Sequence, residues 1–84
     1  MSTKDFYSKI PEVTMGALER YANQRIRTGS FLESVLTNDL FGALGRADES
    51  NHKALRLICL YVYNEMPSSC WGSKERVETW LKGE

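Results

Sequence analysis

The sequence predicts an all-α fold: a compact bundle of about four helices, two longer central ones antiparallel and a short one at each end. Three observations carry this. Apolar residues recur at three- and four-residue spacings through most of the chain, the repeat of one helix face. Breakers and cap residues fall between those runs, at "RTG", "AD" and "PSSCWGS". The one β-prone run, "LICLYVY" at 57–63, lies between helical caps and reads as part of a helix of about four turns.

Taken in order, residues 1–9 are expected to be a flexible N-terminus and 10–84 a single helical domain. Pro11 suits the first position of a helix, where its missing N–H has no partner to lose. That helix should run to about Asn23, with Val13, Ala17, Leu18 and Tyr21 on one side. Ser30-Phe-Leu-Glu33 has the spacing of a capping box. It should open a second helix that continues to about Leu44 and ends at a left-handed Gly45. Asp48 is placed to cap a third helix from Glu49 to Asn64 or Glu65, with Pro67 just beyond it. Ser73 should cap the last helix, Lys74 to Lys82, whose Val77, Trp80 and Leu81 form a short apolar stripe.

At 84 residues the core is thin. Such a chain buries about 60–65% of its unfolded surface, and oligomerisation is a common supplement. Eleven basic and eleven acidic residues cancel without forming blocks, which argues against nucleic-acid binding, where Lys and Arg must neutralise phosphates. Arg20, Arg25 and Arg27 form a local concentration of cations, and they read as solvated. No run approaches the ~18–20 apolar residues of a membrane span, and "MSTKDFYSKI" lacks the apolar stretch of a secretory signal. Cys59 and Cys70 are therefore expected as free thiols in the cytoplasm.

The stretch "GSFLESVLTNDLFGALGRAD", Gly29 to Asp48, holds the feature that bears on function. At 100° per residue Leu32, Leu36, Leu40, Ala43 and Ala47 share the core side. Asp39 falls inside that arc, and Val35, Asp39, Gly42 and Arg46 form a stripe along it. Structurally, Gly42 would admit a neighbouring helix and Asp39 would accept from a buried donor, since an unpaired carboxylate there is costly. Functionally, the stripe would line a pocket or interface, with Gly42 leaving room and Asp39 and Arg46 supplying an acceptor and a fork of donors. Two turns separate Asp39 from Arg46, too far for direct pairing on a straight helix, which favours external partners.

The third helix is apolar almost all round. Ala54, Leu55, Ile58, Tyr61 and Val62 make its core face, Leu57, Leu60 and Tyr63 sit elsewhere, and only a strip near Lys53, Arg56 and Asn64 is polar. Phe41 stands opposite the core stripe of its own helix. A helix this apolar is either central to its domain or has a second buried face; a domain of 84 residues surrounds one helix poorly, so the chain is expected to be a homo-oligomer.

Catalytic constellations are hard to assemble from these residues. The single histidine, His52, sits in a first helical turn as a surface residue. Zinc requires three or four matched ligands, and the sequence supplies no such set. The glycines of "GALGRAD" follow a helix, whereas phosphate loops precede one. No metal, cofactor or catalytic residue is therefore assigned. Trp71 could pack on Val77 ahead of the Ser73 cap, or stack on a ligand ring.

Four pieces, "IP…LERY", "GSFLESVLTNDLFGALGRAD", "YVYNEMP" and "CWGSKERVETW", together make the chain from Ile10 to Leu81 resemble a group of small accessory proteins of tailed bacteriophages and prophages. The resemblance implies a non-enzymatic factor of the host cytoplasm. Some accessory proteins of this size form oligomers that sequester the cyclic nucleotide signals of bacterial defence, and others bind a host protein directly. An oligomer that sequesters a cyclic or linear nucleotide is the leading expectation. Asn38, Asp39 and Arg46 would contact the ligand, and Phe41 or Trp71 would stack on it. The alternative is a protein–protein inhibitor or regulator of a host factor, and a small enzyme is a weaker third.

Overall fold

The computed structural model describes residues 6–83. Among them the α-helices are α1 (Glu12–Gln24), α2 (Ser30–Leu36), α3 (Leu40–Arg46), α4 (Glu49–Glu65) and α5 (Lys74–Leu81), with a 3-10 turn at Ser68–Cys70. No described residue lies in a strand. Of the expected flexible segment, residues 1–5 lie outside the described part. Tyr7 and Ile10 are buried, with the Tyr7 ring edge-on to Tyr61 at 5.1 Å, so the packed part of the chain begins before Ile10.

The expected second helix is two helices. After α2 the chain turns at Asn38, which takes a left-handed conformation with φ of 67°. The Asn38 N–H donates to the Val35 carbonyl and the Asp39 N–H to that of Ser34, the paired bonds of a Schellman ending. Thr37 reinforces it by donating its hydroxyl to the Glu33 carbonyl at 2.8 Å. Asp39 then serves as N-cap of α3, and α2 and α3 pack against each other. Thr, Asn and Asp in succession each offer the backbone an alternative to helix, and at "TND" that preference prevails over the apolar repeat.

Other boundaries moved for local reasons. Gly29, not Ser30, is the N-cap of α2, without a side-chain cap bond. Glu33 instead engages Arg27, so no capping box forms. Gly45 lies inside α3, and the extended Ala47 ends that helix, leading directly into the Asp48 cap. Pro11 is the N-cap of α1 and not its first residue. The caps expected at Asp48 and Ser73 are present, accepting from the Asn51 N–H at 2.8 Å and the Arg76 N–H at 3.1 Å.

The core is built on Leu18, Tyr21, Leu36, Ile58, Cys70 and Val77, all essentially sealed from solvent. In α1 the buried stripe is Thr14, Leu18 and Tyr21. Val13, expected to be core, is 82% exposed, because the face is anchored one residue later, where the Thr14 hydroxyl bonds Asn51 of α4. Tyr21 donates its hydroxyl to the Cys70 carbonyl at 2.7 Å, and the Trp80 indole donates to the Tyr21 carbonyl at 2.9 Å. These bonds tie α1 to the C-terminal segment. The Gly72 N–H donates to the Leu36 carbonyl at 2.7 Å, tying that segment to the end of α2.

The molecule measures 33 × 29 × 18 Å. Its short dimension is about two helix diameters, so a central helix is not enclosed on all sides. In α4 only Ala54, Ile58 and Val62 are fully buried, while Leu55, Leu57, Leu60 and Tyr61 are half-buried and Tyr63 is 70% exposed.

Candidate functional site

Asp39 and Arg46 do meet, contrary to what their spacing on a straight helix implies. Asp39 stands before the first turn of α3, its Oδ1 accepting from the Gly42 N–H at 3.0 Å. Its Oδ2 lies 4.0 Å from the Arg46 guanidinium, which also donates to the Ser34 hydroxyl at 3.2 Å. Gly42 makes this convergence possible. A Cβ at position 42 would stand 2.5 Å from an Arg46 nitrogen and 2.7 Å from the Asp39 carboxyl carbon. The polar stripe is therefore largely occupied with itself: a cap, a loose ion pair and a tie back to α2. Both side chains remain about half exposed, so Asp39 lies outside the core, where the unbroken helix would have placed it.

The same break turns Leu40 outward. Expected in the core stripe, it is 56% exposed, whereas Leu32, Leu36 and Ala43 are buried. Phe41 is 83% exposed and Leu44 37% exposed, so α3 presents three large uncharged side chains to solvent.

Two of the remaining candidates, Asn38 and Trp71, come together. They share a groove with Val35 of α2 and with Cys59, Leu60, Val62 and Tyr63 of α4. Its volume is about 320 Å³, and among the described residues no charged side chain lines it. The Trp71 indole donates to the Met66 carbonyl at 3.2 Å, and its ring centroid lies 5.8 Å from that of Tyr63. Cys59 and Cys70 are both free: Cys70 is buried in the core, and Cys59 lies on the exposed side of α4, at the groove wall. Burial pushes the Cys59 thiol above its ordinary pKa, which disfavours the thiolate and so nucleophilic chemistry there. The sequence signal for this groove was the second apolar side of α4. Val35 of the expected stripe does line the groove, together with Tyr63 from that second side, whereas Asp39, Gly42 and Arg46 are not among its lining residues.

Two of the three arginines near the end of α1, Arg25 and Arg27, are engaged within the chain. Arg25 ends that helix in a left-handed conformation. Its guanidinium lies over the Trp80 ring at 3.8 Å and donates to the Trp80 carbonyl at 2.8 Å. Arg27 bridges Glu33 and Glu78, and its hydrogen bonds to Glu78 hold that carboxyl below its ordinary pKa. Among the described residues no group of three or more His, Cys, Asp and Glu side chains could hold a metal ion, and no helix is long and apolar enough to cross a membrane.

Fold and groove define an all-α chain with an uncharged aromatic groove beside a short helix of exposed apolar side chains. In comparisons with known proteins the chain matches no family model, no curated protein and no solved structure.

Proposed function

We propose that this chain is a non-catalytic binding protein that works by protein–protein contact: a homo-oligomeric inhibitor or regulator of a protein of the bacterial host, the setting its phage-like segments imply. One observation carries the reading: Leu40, Phe41 and Leu44 are exposed together on α3, the helix that follows Asn38 of a groove lined by no charged side chain among the described residues. Uncovered apolar surface of this kind, rimmed by polar groups, is characteristic of interaction sites. The experiment is affinity capture from bacterial lysate, identification of the retained protein, and titration of that protein in purified form against the wild-type chain and Leu40→Asp. A purified host protein that binds the wild type and loses affinity for the variant supports the reading. Equal affinity for both removes it.

Sequestration of a cyclic or linear nucleotide is a second reading, favoured by the placement of Asn38 and Trp71 in one groove large enough for a base. It is weaker because phosphates need donors. Among the described residues no cation lines the groove, and the Arg46 guanidinium is directed at Ser34 and Asp39. Calorimetry with a panel of nucleotides decides it: no heat across the panel eliminates sequestration. A ligand recovered chemically altered would point to an enzyme instead.

A further inference from the structure

An α-helix leaves its last carbonyls without donors of its own, and the end of α2 satisfies them from two directions. The bend itself serves Ser34 and Val35, through the Asp39 and Asn38 N–H groups. The Leu36 carbonyl is served from far along the chain, by the Gly72 N–H at 2.7 Å. Leu36 is sealed from solvent, so losing that bond leaves a buried acceptor unpaired. Gly72 is itself a constrained donor. Its φ of 113° is one that residues with a Cβ rarely adopt, and a Cβ there would stand 3.2 Å from an Arg76 nitrogen. The segment around it, 67–73, is fastened at three points. The Tyr21 hydroxyl bonds the Cys70 carbonyl, the Trp71 indole bonds the Met66 carbonyl at the end of α4, and Ser73 caps α5. By contrast α3 has seven residues, too few to hold a helix alone, and it leans on α2 with Ala43 buried.

We infer that the 67–73 segment and the α2–α3 bend form one latch: they dock and open together, coupled through the Gly72–Leu36 bond, so the exposed face of α3 is held in place from the C-terminal side of the chain. Such a unit opens with its own free energy, below that of the whole fold, and the coupling acts equally in both directions. The latch stands apart from the protein–protein reading, since it concerns how the Leu40–Phe41 face is held and not what covers it.

Native-state hydrogen exchange of the full chain across a low-urea series tests it without a partner. In the wild type the Gly72, Asn38 and Ala43 amides should share one opening free energy and one urea slope, both smaller than those of Leu18 and Ile58. D39A removes the side chain that caps α3. It should speed exchange at Gly72 and Ala43 by the same factor, about fivefold, the loss of one cap. G72A should act from the other end, by about tenfold at both the Asn38 and Ala43 amides, the effect of a strained backbone. A Gly72 amide indifferent to D39A overturns the latch, as does an Ala43 amide indifferent to G72A. Exchange of these amides only together with Leu18 and Ile58 overturns it too, since the opening unit is then the whole fold. If G72A does not fold, the wild-type slopes and D39A decide alone.

Discussion

Asp39 closes over Gly42. One carboxylate oxygen accepts from the Gly42 N–H at 3.0 Å, and the carboxylate as a whole fills the space where a side chain at position 42 would begin. A helix start, a missing side chain and the Arg46 contact are thus one local device. Gly45, one turn later, has no atom within 4 Å of where its Cβ would lie.

The two glycines of α3 should therefore respond oppositely to alanine. G45A should stabilise the chain by about 0.5–1 kcal/mol, the ordinary helix gain over glycine. G42A forfeits the cap as it makes that gain, and should unfold below the wild type. Loss of the cap alone, in D39A, should cost about 1 kcal/mol. Urea unfolding of the three variants checks this; equal gains for both glycines would refute the account.

Asn38 should tolerate glycine and reject a branched side chain. Its positive φ is a conformation that Asn adopts readily and that disfavours β-branched residues by about 1–2 kcal/mol. N38G should leave the melting temperature near the wild type, and N38V should lower it. An N38V chain as stable as the wild type would mean that the break between α2 and α3 can be rearranged without penalty.

The Tyr21–Cys70 contact should make the fold sensitive to alkali. Burial, the main cause in each case, raises the Cys70 thiol from 9.0 to about 11 and the Tyr21 phenol well above its ordinary value of 10.0. Both groups are held protonated in the folded chain after the unfolded chain has begun to lose those protons. Their contribution is therefore complete below about pH 9 and is lost as pH rises toward 11 and beyond. Thermal melts at increasing pH should show a falling midpoint, with a shallower fall in Y21F. At neutral pH, Y21F should lose about 1–2 kcal/mol for the buried bond to the Cys70 carbonyl.

Arg46→Ala should change stability by less than about 1 kcal/mol, since its ion pair is long and half exposed. A much larger loss would show that the tie to Ser34 organises the α2–α3 turn. Nucleotide calorimetry on the same variant would separate that role from ligand binding.

Much of the fold was legible because it is written in local chemistry. The caps at Asp48 and Ser73, the extent of α4 and the burial of Leu18, Tyr21, Ile58 and Val77 follow from residue type and period. The candidate site was legible only in part. Asn38 and Trp71 do share a groove, and Phe41 is exposed. Asp39, Arg46 and Leu40 were misplaced together, because one left-handed residue just before them, Asn38, rotates everything that follows. The signal was in "TND", but its strength against the leucine repeat depends on where α3 finds a surface to pack on.

By itself, then, the sequence determined the helical class, most helix boundaries and the second apolar side of α4, all consequences of backbone capping and side-chain periodicity over a few turns. Tertiary structure decided between the "TND" signal and the leucine repeat in the Gly29–Asp48 stretch, and with that choice its acid and arginine turn toward each other and its Leu40 faces outward. The physical reason is that capping competes with continued helix within about a kcal/mol. Long-range packing of Ala43 and Leu36, together with the bond from Gly72 to the end of α2, is large enough to choose between them.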